Sequence, residues 1–275
     1  MEVTQRLVSL AIEEFYNRAS EETRLNGMMG QLEFDRVKTL IEKYLSNEPI
    51  TVLDIGGGTG KYAEWLSLKG HYVHLIEPIS KHLKKANKRS KKLDNPFSVK
   101  RGNAQHLAYP NDFADVVVMH GPLYHLQESE ERREAIKEAK RVLKEEGVLL
   151  AFAINYTAST IAGLQGGHIH DPAFFKMCAE ELSTGLHRPP KTLPWLLAEG
   201  YYHKPGELEQ EFMDEGFEHL DTYAVEGITW LDKDYFSNMS NSSTRKTLND
   251  LLILTERDKN LLALSPHMMI ALRRR

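Results

Sequence analysis

Residues 52–60 read Val52-Leu53-Asp54-Ile55-Gly56-Gly57-Gly58-Thr59-Gly60. The apolar run Ile50 to Ile55 has no polar face until Asp54, so it reads as a strand covered on both sides. It ends in a glycine loop, and the helix that follows places Tyr62, Trp65 and Leu66 on one side, with Gly70 set to stop it. Glycines let backbone approach a ligand closely, and a helix N-terminus offers its amides and dipole to an anionic group. Spacing excludes two common ligand loops. A dinucleotide fingerprint starting at Gly56 needs glycine where Lys61 stands, and a phosphate loop needs a hydroxyl where Tyr62 stands. What remains is Asp54-x-Gly56-x-Gly58-x-Gly60.

Outward from this stretch the chain alternates. The spacing predicts strands at Tyr72–Ile76, Phe97–Lys100, Asp115–Met119 and Val148–Ile154, with helices at about 79–93 and 128–144. Gly147 is expected to form the turn before the fifth strand. A helix near Glu207–Glu215 and strands at Phe217–Val225 and His267–Leu272 complete the pattern. The N-terminal stretch to about Leu45 reads as helical, broken at Asn26-Gly27 and at Gly30. The fold class expected is α/β: a doubly wound, mostly parallel seven-stranded sheet, Rossmann-like, with a helical N-terminal segment and an insertion. The parts are 1–47, an N-terminal helical cap; 48–154, the α/β core; 155–203, an insertion; and 204–275, the C-terminal part of the core sheet.

In an open parallel sheet ligands bind outside the carboxyl ends of the strands. Asp54 and the glycine loop follow the first strand, Glu77 the second, Asn103 the third, and His120-Gly121 the fourth. A carboxylate at Glu77 can accept both ribose hydroxyl protons of a nucleoside. Glu77-Pro78 also suits a helix start.

The composition excludes other classes. With 41% hydrophobic and 27% charged residues in 275, the chain is neither disordered nor fibrous. A net charge of −4 gives no global attraction to nucleic acid or anionic lipid. The single Cys178 allows no internal disulfide and fits a reducing compartment. No apolar run is long enough to span a membrane, and Glu2, Arg6, Glu13 and Glu14 interrupt any signal-like core, so a cytoplasmic protein is expected.

Taken together, VLDIGGGTGKYAEWLSLKG, HLIEP, the Gly102-Asn103-Ala104 turn, DVVVMHGPLYHL and RVLKEEGVLL resemble the class I S-adenosylmethionine-dependent methyltransferases. The likeness is to the small-molecule group related to quinone-biosynthesis methyltransferases, from about Tyr16 to Gly227. The resemblance implies S-adenosylmethionine as cofactor and S-adenosylhomocysteine as product. It implies that Asp54, Gly56, Gly58 and Gly60 line the methionine part and that Glu77, followed by Pro78, holds the ribose. Asn103 and the Ala104 amide would contact adenine, although the family more often has Asp at that position. Backbone at His120-Gly121 would pass near the sulfonium, and Tyr16 and Arg24-Leu25 would close over the cofactor.

Methyl transfer from a sulfonium is an in-line displacement, and a base is needed only where the acceptor must lose a proton. Candidates for that base are His120, Tyr124 and His125, and further along the chain His203. Gly121-Pro122-Leu123-Tyr124 stands where amino-group methyltransferases acting on nucleobases carry Pro-Pro-Tyr, which argues against that activity. The 155–203 insertion, with His168, His170, Trp195, Tyr201, Tyr202 and His203, is expected to be a substrate lid over the same rim. His168-x-His170-Asp171 lacks a supporting cluster, so no metal is expected. The basic run Lys81 to Lys92 reads as the solvated outside of a helix. The expected partner is a small-molecule acceptor rather than nucleic acid or membrane, in a monomer or homodimer. Alternatives are an RNA or protein methyltransferase, or a non-catalytic module that binds S-adenosylmethionine.

Overall fold

The structure, a computed structural model, describes residues 7–18 and 28–275. Seven strands form one sheet in the order β3-β2-β1-β4-β5-β9-β8. They are β1 (Thr51–Ile55), β2 (Tyr72–Glu77), β3 (Ser98–Arg101), β4 (Ala114–His120), β5 (Leu143–Ile154), β8 (Phe217–Ala224) and β9 (His267–Arg274). Strands β1 to β5 pair in parallel, and only β9 runs antiparallel to its neighbours β5 and β8. The expected seven-stranded, mostly parallel sheet is what the chain forms.

Alternate strand residues feed two cores. Leu53, Ile55, Val117 and Met119 face Ala135, Ile136 and Ala139 of one helix and Leu208 and Phe212 of another. Val52, Val116 and Val118 face Val37, Leu40 and Ile41 together with Tyr62 and Leu66. The helices involved are α2 (Met28–Glu42), α3 (Lys61–Leu68), α6 (Ser129–Val142) and α9 (Pro205–Asp214); α1 is Leu10–Arg18, α4 Ser80–Ser90 and α5 the short Pro122–His125. Ile136 is fully buried, and burying such a side chain stabilises by about 2 kcal/mol. Between β1 and β4 the winding reverses direction. The two loops there part, and a crevice opens at the carboxyl ends.

Two local expectations are corrected. The fifth strand begins at Leu143, directly after α6, but its register with β4 shifts between Leu143 and Val148, with Glu146 at φ 60°, so Gly147 ends an irregular excursion before the regular pairing from Val148. A Cβ on Gly147 would meet the carbonyls of Lys144 and Asp115 at 2.8 and 3.0 Å, so close approach to the neighbouring strand explains this glycine. Gly30 does not break the N-terminal helix; it is buried within the first turn of α2. Residues 155–203 carry secondary structure of their own. They hold α7 (Ala158–Gly166), α8 (Pro172–Thr184) and a two-stranded ribbon of β6 (Leu186–His187) and β7 (Gly200–Tyr201). Asp171 caps α8, accepting from the amides of Ala173 and Phe174 at 2.8 and 3.0 Å, which accounts for its place beside His170. No helix among the described residues is long and apolar enough to cross a membrane.

Candidate active site

A cavity of about 520 Å³ lies at the carboxyl ends of β1, β2 and β4. Its wall includes Asp54, Gly56, Gly58, Glu77, Pro78, Asn103, Ala104, His120, Gly121 and His125. Tyr16 closes it from α1, together with Leu7, Val8 and Ile12. Arg24, named with Tyr16, lies outside the described residues.

The loop is held by its own backbone and by Glu77. The amides of Gly56 and Gly57 donate to the Ile76 carbonyl at 2.8 and 3.3 Å. The Gly58 amide donates to Glu77 Oε2 at 2.9 Å and the Ile79 amide to Oε1 at 2.9 Å; His82 Nδ1 lies 3.2 Å from Oε1. Glu77 thus lines the cavity while its carboxylate holds the Ile79 amide just ahead of α4. Gly56 has φ 77° and a Cβ there would meet Pro122 Cδ at 2.8 Å, so only glycine lets this loop pass the β4 loop. Gly60 is different. It does not line the cavity; at φ 81° a Cβ would strike Phe97 at 2.9 Å, so packing of α3 on the core requires it.

Asp54 is fully buried, and neither carboxyl oxygen has a hydrogen-bond partner among the described residues. Burial, and then the charge of Glu77, push its pKa up to about 7. A buried, unpartnered carboxyl beside open space suits a cationic or hydrogen-donating ligand group. Asn103 Oδ1 already accepts from the His106 amide at 3.2 Å, which closes the turn after β3 and presents the Ala104 backbone.

On the β4 side, His120 stacks on Phe152 with ring centroids 4.4 Å apart, and Tyr62 lies at 5.3 Å. His125 Nε2 meets the Tyr16 hydroxyl at 2.8 Å. Burial, and then nearby His187, lower its pKa to about 4, so the imidazole is neutral at physiological pH. His203 is not brought to this site. It is fully buried, with Nε2 3.2 Å from Glu211 Oε2, and its backbone pairs beside Asn155. Burial raises the Glu211 pKa, but hydrogen bonds from His203 and Arg132 outweigh it and hold it near 2. The His203–Glu211–Arg132 group ties the chain's return into the core, and His203 has no path to the cavity wall.

None of the described residues 155–203 lines the cavity either. The segment packs behind α5: a Cβ on Gly200 would fall 2.2 Å from the Tyr124 carbonyl. Tyr202 stacks on His187 with centroids 4.5 Å apart, and Tyr201 lies under the Arg132 guanidinium. These aromatics are used in packing, and the cavity is covered by the N-terminal segment instead.

Sequence reasoning missed a cluster behind His120, outside the cavity wall. Glu33, Glu226 and His267 bring ligand-type atoms within 4.8 Å of one another, and Glu33 reaches to 3.9 Å from His120. Glu226 bonds His267 Nδ1 at 2.7 Å and accepts from the His267 amide at 3.1 Å. The three residues sit on elements remote in sequence, so no spacing could have shown them.

Residues 53–151 match the methyltransferase domain family. Over 116 residues the chain is 34% identical to the demethylmenaquinone methyltransferase of Thermotoga maritima, covering 41% of this chain and 47% of that one. The chain thus spans about half the length of this relative. In shape it is similar to a protein of Pyrococcus horikoshii (TM-score 0.63, 14% identity, 95% and 99% of the two chains). It is also similar to an S-adenosylmethionine-dependent methyltransferase of Methanosarcina mazei (0.59, 19%, 86% and 96%). A third likeness is to the N-methyltransferase NodS of Bradyrhizobium japonicum in complex with S-adenosylhomocysteine (0.59, 14%, 97% and 99%). The matched methyltransferase domain family thus covers residues 53–151, and the solved structures share the fold of the chain.

Proposed function

We propose that this chain binds S-adenosylmethionine in the cavity between Asp54, Glu77 and His120 and moves its methyl group to a small-molecule acceptor. The observation that carries the reading is the buried, unpartnered Asp54 carboxyl in a wall where Glu77 is held by the glycine loop. When bound, the cofactor supplies an electrophilic methyl group on a sulfonium. Two backbone amides and His82 Nδ1 take three of the roughly four lone-pair directions of Glu77, which leaves capacity on Oε2 for a ribose hydroxyl. Asn103 and the Ala104 amide hold the base, while Asp54 and the backbone of the glycine loop hold the amino-acid end. Pro78 walls the ribose side, and the turn at His120-Gly121 borders the reacting end. Leu7, Val8 and Ile12 exclude water, and Tyr16 fixes this cover by its bond to His125. His125 is a positioning residue in this scheme, since its neutral imidazole is engaged by Tyr16 and is weakly basic. With the lone Cys178 buried and reduced, the chain works in the cytoplasm, as a monomer or homodimer.

The test is incubation with methyl-labelled S-adenosylmethionine and a fractionated cell extract. Label in the small-molecule fraction supports the proposal. Label only in RNA or protein, or cofactor binding with no transfer to any fraction, contradicts it.

A further inference from the structure

We propose that the exposed face of α4 is a docking surface for a layer of anionic phospholipid headgroups. Residues 78–93 carry six lysines, one arginine and no acidic residue, in a chain whose net charge is −4. The helix buries His82, Ala86 and Ser90, which turns the charges outward. Lys84, Lys88 and Lys91 line one shallow groove with Leu83 and Asn87. Among the described residues these three lysines and Lys92 have no ion-pair partner. A single-sign patch of this kind is attracted to anionic headgroups by about 1 kcal/mol per lysine, roughly fivefold in affinity each.

Two observations favour a lipid surface over RNA. The stretch 78–93 has no Phe, Tyr or Trp to stack on bases, and Arg89 is turned inward to the Thr59 carbonyl and Glu64. At the far end of the helix, Asn95 Nδ2 donates to the carbonyls of Ser67 and His71 at 3.3 and 3.2 Å. These bonds fasten the segment that follows α4 to the turn carrying Leu68 and Tyr72, which are 72% and 59% exposed. Lysines together with an exposed aliphatic and an exposed aromatic side chain on a turn fastened to their helix suit the boundary between headgroups and acyl chains.

Co-sedimentation of the full chain with phosphatidylcholine vesicles, with and without phosphatidylglycerol, tests the surface. Binding is expected only to vesicles containing phosphatidylglycerol, and it weakens as salt rises. The triple substitution Lys84→Gln, Lys88→Gln, Lys91→Gln should weaken it about a hundredfold, and the same three changed to Arg should retain it. Leu68→Ser with Tyr72→Ser should weaken it further. All variants should keep S-adenosylhomocysteine affinity, which shows that they fold. Equal binding to neutral vesicles, no loss in the glutamine triple, or binding to tRNA without binding to anionic vesicles overturns the proposal.

Discussion

The Tyr16 hydroxyl and His125 Nε2 meet at 2.8 Å and so join α1 to the short helix after β4, residues 109 positions apart. Together with Lys81 Nζ, which donates to the Tyr16 and Asn17 carbonyls at 3.3 and 2.8 Å, the bond fastens an otherwise apolar cover. Tyr16→Phe should weaken S-adenosylhomocysteine binding about fivefold, the worth of one net hydrogen bond. His125→Ala should act in the same direction, and the double variant should be little worse than His125→Ala alone, because both remove one interaction. Calorimetric titration of the four proteins reads this out; fully additive losses would show that the two residues act separately.

On the proposed function, Asp54 should make cofactor binding pH-dependent. With its pKa near 7, the carboxyl is largely protonated at pH 6 and ionised at pH 8. A ligand bearing an ammonium group binds the ionised form better, so affinity for S-adenosylhomocysteine should rise as pH rises through about 7. Asp54→Asn should flatten that rise, and a profile unchanged by the substitution would remove Asp54 as its source.

The same group affects stability with a definite sign. The folded pKa lies above the ordinary 3.8, so between pH 4 and 7 the folded chain keeps a proton that the unfolded chain releases. Stability is therefore lost as pH rises across that window, by about 4 kcal/mol from a shift of this size. Asp54→Asn should abolish this contribution, and urea unfolding of both proteins at pH 5 and 7 measures it.

Gly60 and His203 should behave as structural positions. Gly60→Ala places a Cβ against Phe97 at positive φ and should cost about 1–3 kcal/mol of unfolding free energy. His203→Ala removes a partner of buried Glu211 and should also destabilise the chain, by about 1–3 kcal/mol. His203→Ala should leave turnover per folded molecule near normal at a temperature where it remains folded. A large fall in that rate with full folding would return His203 to the reaction.

The sheet was legible because β1 and β4 are buried on both faces and their sequences carry that as unbroken apolar runs, with polar residues waiting at the strand ends. Asp54, Glu77, Asn103 and His120 could be grouped from that rule alone. Gly30 misled because glycine marks both turns and close packing, and only the neighbours decide which. The pairing of Tyr16 with His125, and of Glu33 with Glu226 and His267, is long-range and leaves no periodic trace. The aromatics of 155–203 have a pocket-like composition, yet Tyr202 and His187 spend it on each other.

The central claim is that Glu77 holds the ribose of the cofactor in this cavity. Titration of S-adenosylhomocysteine into the unmodified chain and into Glu77→Ala tests it most directly. The account predicts saturable one-to-one binding that falls at least tenfold in the variant while the far-ultraviolet spectrum is retained. Unchanged affinity in a folded Glu77→Ala chain, or no saturable binding to the unmodified one, would contradict it.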